Sequence, residues 1–222
     1  MLSIILAESS LELVPIELQN HQSVLSHSQK IEKKPAEILL DNSWHFGAMK
    51  NLENEIKRGR PDLVHTSLLS ICASPLYLED KISVYIHTIN NMVIMLKNNV
   101  RIPKSYHRFA GLMEQLFLEE KISSNDNILL ELKNMNFENL IDFISPPEVV
   151  GFSTTGKVDS FENIAKNLKK DSCIVIGGFQ KGHFSDKIKN RLDKICNVNK
   201  KSLESHVITS RILYECEKTI FM

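Results

Sequence analysis

Ser172-Cys173-Ile174-Val175-Ile176-Gly177-Gly178-Phe179-Gln180-Lys181-Gly182 sets an apolar strand, residues 172–176, directly before a glycine-rich turn. Downstream, residues 194–198 read as a further strand, and residues 203–221 close the chain as a helix. Upstream, a strand over 148–152 and a helix over 161–168 complete an alternation of strand and helix signals. Alternation of this kind predicts an α/β fold, a sheet covered by helices.

The first two thirds continue the pattern. Residues 3–7 read as a buried strand, 23–33 as a helix, 38–41 as a second short strand and 42–45 as a loop. Residues 48–57 read as a helix that stops before Gly59 and Pro61. Residues 62–73 form a strong helix prediction, with Asp62 standing where a cap would stand and Leu63, Val64, Leu68 and Ile71 at helical spacing. Two strand-like runs, 84–88 and 92–96, flank Asn90-Asn91 and predict a hairpin. Pro103 is expected to open a long helix through Phe117, whose stripe Phe109, Leu112, Met113, Leu116 and Phe117 reads as core or dimer contact. Residues 128–144 read as helix in two pieces, ending at Pro146-Pro147.

Composition bounds the function. The 222 residues hold 27 basic and 27 acidic side chains, for a formal net charge of +0. A neutral chain has no global pull on polyanions, yet two stretches are plainly basic: Arg58-Gly59-Arg60-Pro61-Asp62 and Arg101-Ile102-Pro103-Lys104-Ser105-Tyr106-His107-Arg108. Clustered guanidinium groups grip phosphates and bases locally, which points to nucleic acid handled at one site. No apolar run approaches the ~18 residues of a membrane helix, and the start lacks a basic leader. A cytoplasmic protein without membrane attachment is expected. Cys72, Cys173, Cys196 and Cys216 form no CxxC pair, so reduced thiols are expected and a metal site is not. The eight histidines show no ligand spacing.

Three turns follow strands in the last third: Ser153-Thr154-Thr155-Gly156, then 177–182, then Val198-Asn199-Lys200-Lys201-Ser202-Leu203. Ligands of open α/β sheets gather beyond the carboxyl ends of strands. The middle turn is neither GxGxxG nor a P-loop. On residue chemistry alone, a tight turn with no ligand stays open beside a cofactor cradle.

The blocks Gly59-Arg60-Pro61-Asp62-Leu63-Val64-His65 and Arg101-Ile102-Pro103 through Arg108-Phe109-Ala110-Gly111-Leu112-Met113 go further. Together with Ile5-Leu6-Ala7-Glu8-Ser9-Ser10-Leu11-Glu12-Leu13-Val14-Pro15 and the Ile176-Gly177-Gly178-Phe179 turn, they resemble the ribosome-biogenesis pseudouridine methyltransferases of the SPOUT (α/β-knot) superfamily. The resemblance covers nearly the whole chain and is closest to archaeal members. It implies one SPOUT domain over 1–222, with a hairpin-bearing insertion at about 76–100 and a knotted, cofactor-binding region at about 148–222. The implied fold is a mostly parallel sheet flanked by helices with a C-terminal trefoil knot, in a homodimer. The implied activity is methylation of N1 of a pseudouridine in small-subunit rRNA by S-adenosylmethionine, in small-subunit biogenesis, with ribosome-assembly proteins as further partners.

In the resemblance, Gly156, Gly177, Gly182, Val198, Asn199, Lys200, Lys201, Ser202 and Leu203 stand at adenosylmethionine positions. The sequence departs where Ser202 replaces a frequent Pro and where Lys200-Lys201 is unusual. Arg60, Arg101, Lys104 and Arg108 stand at RNA positions, Lys104 where Arg is common. Asp62 matches an acid that steadies Arg60, with helix capping and proton abstraction as its other readings. Two competing functions are a non-catalytic rRNA-binding assembly factor and a SPOUT methyltransferase acting on another RNA nucleotide.

Overall fold

A computed structural model describes residues 1–221. The chain opens with β1 (Leu2–Ser9), buried along its whole length. Helices α1 (Gln22–Lys30), α2 (Asn42–Met49), α3 (Pro61–Cys72) and the short α4 (Pro75–Leu78) follow. The hairpin expected around Asn90-Asn91 is β2 (Ile82–Thr88) with β3 (Met92–Leu96). Next come α5 (Tyr106–Glu119), β4 (Lys121–Ser124), β5 (Asn127–Asn134) and α6 (Phe137–Ile144). The last third is β6 (Val149–Val158), α7 (Phe161–Asn167), β7 (Cys173–Gly177), α8 (Asp186–Lys189), β8 (Lys194–Asn197) and α9 (Ser205–Phe221).

Among the described residues, eight strands join one sheet in the order β4-β5-β3-β2-β1-β7-β6-β8. The five from β2 to β8 in that order run parallel, and β3, β5 and β4 extend them as an antiparallel wing. Central strands β1 and β7 are covered on both faces, which is why Ile4-Ile5-Leu6-Ala7 and Ile174-Val175-Ile176 are unbroken apolar runs. Ile4, Leu6, Ile174 and Ile176 face a core completed by Val64, Leu68 and Ile71 of α3 and by Ile212 and Leu213 of α9. Ile5, Ala7, Cys173 and Val175 face the other way, onto Phe137, Leu140 and Ile141 of α6 and Ile188 of α8. Helix α3 packs on α9, so the segment leading into α3 is fixed relative to the carboxyl-terminal turns. The stripe on α5 is core: Phe109, Met113 and Leu116 are fully buried.

Several sequence expectations are corrected. Residues 38–41 form no strand beyond a single Leu13–Leu39 bridge; Ile38 and Leu40 are apolar because they fill a small third core with Val14, Leu18 and Val24. The presumed loop at 42–45 opens α2, because the Asp41 carboxylate accepts the Ser43 N–H at 2.8 Å and caps it. The helix expected over 48–57 is absent: α2 ends at Met49, left-handed Asn51 and Asn54 break the chain, and only a single 3-10 turn, Glu55–Lys57, follows.

Helix α3 begins at Pro61 with Arg60 at the N-cap position, so Asp62 lies in the first turn and does not cap. Pro103 opens no helix; α5 starts three residues later, and the Pro103 carbonyl instead accepts His65 Nε2–H at 2.7 Å. Residues 128–134 are strand, not helix. Leu130 and Leu132 alternate inward there, and an Asn125-Asp126 turn with both φ positive pairs β5 with β4. The segment expected as an insertion, at about 76–100, supplies α4, β2 and β3.

Candidate functional site

The three turns singled out in the sequence converge at one end of the sheet. Ser153-Thr154-Thr155-Gly156 is not a free turn: β6 runs through it as a bulge, since Phe152 and Lys157 both register with Cys196 of β8. The other two turns leave the carboxyl ends of β7 and β8. Asn197 Nδ2–H donates to the Thr154 carbonyl at 3.0 Å and joins the bulge to the third turn. Asn199 folds that turn on itself, its N–H donating to Asn197 Oδ1 at 3.1 Å and its Nδ2–H to the Lys201 carbonyl at 2.9 Å. Ser205 Oγ–H, at the start of α9, donates to the Gly177 carbonyl and joins the third turn to the second.

These bonds enclose a cleft of about 290 Å³, at the small end of the range for small-molecule sites. Phe152, Ile176, Leu203 and Ile208 supply apolar wall, while Lys181, Lys201 and Glu204 supply charge. Of the residues expected at the cofactor, Gly177, Gly182, Val198, Asn199, Lys201, Ser202 and Leu203 line the cleft; Gly156 and Lys200 do not. Gly182 sits at φ +106, a backbone state that disfavours any side chain. Gly156 answers to a different need. A Cβ there would stand 2.4 Å from the Ile195 carbonyl oxygen, so its glycine lets β8 approach β6.

Cys196 also borders the cleft. Burial pushes its thiol pKa up, so it stays protonated and offers no thiolate nucleophile. Among the described residues lining the cleft, Glu204 is the only carboxylate and His183 the only imidazole.

The basic stretches sort into different roles. Arg58 is turned inward: Nε and Nη2 donate to the two carboxylate oxygens of Glu12 at 2.7 and 2.6 Å, and Glu12 is 2% exposed. Asn90 Nδ2–H completes Glu12 at 2.8 Å. Arg60 donates from Nε and Nη2 to the two oxygens of Asp62, both at 2.8 Å. That fork leaves the remaining donors of Arg60 free, and hydrogen bonding to Asp62 raises its pKa further. Glu204, on the rim of the cleft, is near enough to Arg60 to add to that rise through space.

Arg101, Lys104 and Arg108 are exposed and lie outside the cleft's lining. Arg101 precedes α5 whereas Arg108 is inside it, so the two do not share a helical face by register. His65 is a packed residue, stacked on Phe109 with ring centroids 4.4 Å apart. The Tyr106 hydroxyl donates to Asp41 Oδ2. Burial first, then that bond, push its pKa upward.

A model of the EMG1/NEP1 methyltransferases matches residues 4–217. This chain belongs to that family. It is 40% identical over 218 residues, 97% of this chain and 95% of the relative, to the ribosomal RNA small subunit methyltransferase Nep1 of Staphylothermus marinus. It is 41% identical over 220 residues, 99% of this chain and 98% of the relative, to the Nep1 of Saccharolobus solfataricus. The crystal structure of Archaeoglobus fulgidus Nep1 bound to S-adenosylhomocysteine superposes with a TM-score of 0.89 at 36% identity, covering 99% of both chains. The α/β architecture implied by the SPOUT resemblance is thus the architecture found.

As an EMG1/NEP1 member, the chain offers a cleft that suits a nucleoside bearing an amino-acid tail. Phe152, Ile176 and Ile208 make an apolar slot, Lys181 and Lys201 can face a carboxylate, and Asn197, Asn199 and Ser202 bring polar groups to the rim. Thr154, Phe179 and Lys181 belong to the turns the sequence marks but carry no individual assignment there, and Phe152 and Ser205 lie outside those turns. Each lies one or two positions from a residue that was named, or in the strand feeding the turn, and only their convergence marks them.

Proposed function

We propose that this chain methylates N1 of a pseudouridine in small-subunit rRNA with S-adenosylmethionine as donor. One observation carries the reading: the carboxyl-terminal turns close on one cleft at the ends of β6, β7 and β8, in a family member that superposes on a relative bound to the spent cofactor. When bound, the cofactor supplies an electrophilic methyl on a sulfonium that leaves neutral. The protein's task is therefore alignment, and orientation of this kind can supply about 7–11 kcal/mol.

Gly177, Gly182, Val198, Asn199, Lys201, Ser202 and Leu203 hold the donor, with Lys201 and Lys181 facing its carboxylate. Asp62 holds the Arg60 fork so that the free edge of the guanidinium meets RNA phosphate or base. Arg101, Lys104 and Arg108 extend the RNA surface, Lys104 as a point charge without a fork. The target base is turned out of its stack to reach the cleft. N1 gives up its proton to solvent or to Asp62. We read the working unit as a cytoplasmic homodimer that meets its rRNA alongside ribosome-assembly proteins.

Incubation with labelled S-adenosylmethionine and two short RNAs of one sequence, one with pseudouridine and one with uridine at a single site, tests the reading. Label in the pseudouridine RNA alone is expected. Label in both RNAs, or in neither while S-adenosylhomocysteine still binds, refutes the assignment of the acceptor.

A further inference from the structure

Glu8 is the residue before the last in β1, 7% exposed, with its backbone at φ +48. A residue with a side chain keeps that left-handed state only where its surroundings hold it there, and such residues concentrate at working sites. Its N–H donates to His87 Nδ1 at 3.3 Å. Its carboxylate accepts Lys57 Nζ at 2.7 Å and the Ser185 N–H at 3.3 Å.

Lys57 stands at the end of the segment that leads into Arg58-Gly59-Arg60. Its backbone carbonyl accepts Ser10 Oγ–H, and its Nζ lies 4.6 Å from the centroid of the Phe179 ring. Its stem passes Gly182 so closely that a Cβ there would stand 3.3 Å from Lys57 Cε. Phe179 and Gly182 both line the cleft. One nearly buried ion pair thus meets the middle turn at the ring of Phe179, runs its stem past Gly182 and, just beyond the turn, holds the N–H of Ser185.

Stability is a weak reason to keep such a pair. Desolvation offsets most of its attraction, and apolar replacements are often as stable. Its geometry is specific, however: the cation caps an aromatic face and the carboxylate anchors the backbone that follows the same turn, at Ser185. We propose that Glu8 and Lys57 are positioning residues for methyl transfer, which hold the 177–182 turn in the shape that receives the donor. This rests on reading the cleft as the methyl-donor site.

Lys57→Met keeps the stem and removes the charge. Calorimetry with S-adenosylhomocysteine is expected to show affinity about tenfold weaker, within the usual span of coupling between neighbouring sites. KM for S-adenosylmethionine is expected to rise with KM for RNA unchanged, and Lys57→Arg is expected to restore both. Glu8→Gln asks the same question from the other partner, so a Lys57→Met chain that fails to fold does not end the test. Unchanged affinity in a folded variant overturns the proposal. So does a fall in melting temperature with both KM values raised together and no rescue by Arg, which marks the pair as purely structural. Wild-type protein without affinity for S-adenosylhomocysteine overturns the reading of the cleft itself, and the proposal with it.

Discussion

Gly156→Ala separates two explanations of one glycine. The resemblance assigns Gly156 to the cofactor; the structure gives it a packing role between β6 and β8. A Cβ at this position would stand 2.4 Å from the Ile195 oxygen, 2.5 Å from the Ile195 carbonyl carbon and 2.8 Å from the Cys196 nitrogen. All three are backbone atoms, so no change of rotamer relieves the contact. Relief requires β8 to move away by roughly 1 Å, and overpacking of this kind costs about 1–3 kcal/mol. For a chain of this size each kcal/mol lowers the melting temperature by roughly 2–4 °C, giving a drop of about 2–12 °C. Strand β8 also carries Asn197, whose amide ties the third turn to Thr154, so affinity for S-adenosylhomocysteine is expected to fall as well. Thermal melts by circular dichroism, with and without S-adenosylhomocysteine, read both quantities. An unchanged melting temperature with weakened binding would refute the packing argument and return Gly156 to the cofactor.

Arg101→Ala and Arg108→Ala are each expected to weaken RNA binding and to flatten its salt dependence by about 0.7 in log–log slope per lost phosphate contact on single-stranded RNA; a filter-binding titration across salt that leaves the slope untouched removes that residue from the RNA surface. His45 makes a pH test. Burial first, and then the neighbouring His27, push its imidazole pKa down from 6.5 to about 4, and the Asp41 N–H donates to its Nδ1 at 3.1 Å. The folded state binds fewer protons there than the unfolded chain, so this part of the stability is complete above pH 6.5 and is lost as pH falls from 6.5 towards 4. Melting temperatures of wild type are expected to fall more steeply across that window than those of His45→Gln; parallel curves contradict the assignment.

Much of the framework is legible in the chain. Central strands announce themselves because both faces are covered: Ile4-Ile5-Leu6-Ala7 and Ile174-Val175-Ile176 have no polar side to confuse the pattern. The hairpin at Asn90-Asn91 is local, and its turn residues are enough to predict it. Failures cluster where local pattern and tertiary use diverge. Ile38 and Leu40 are apolar to plug a gap beneath α1 and α2, not to join a sheet. The run at 128–134 holds leucines that suit helix or strand equally, and only pairing with β3 and β4 decides between them. Asp62 has the look of a cap, yet an arginine two residues back takes its carboxylate as a fork.

Local chemistry along the chain was enough to mark the strand–glycine turns and the stripe of α5, because each depends on neighbours within a few residues. Three-dimensional closure alone chose which turns meet. Strand β7 lies between β1 and β6, so residues 8, 57, 179 and 185 come into contact across the chain, and Gly156 is read as spacing between backbones. No periodicity encodes such meetings, since they follow from the order of strands in the sheet and from the packing of α3 on α9.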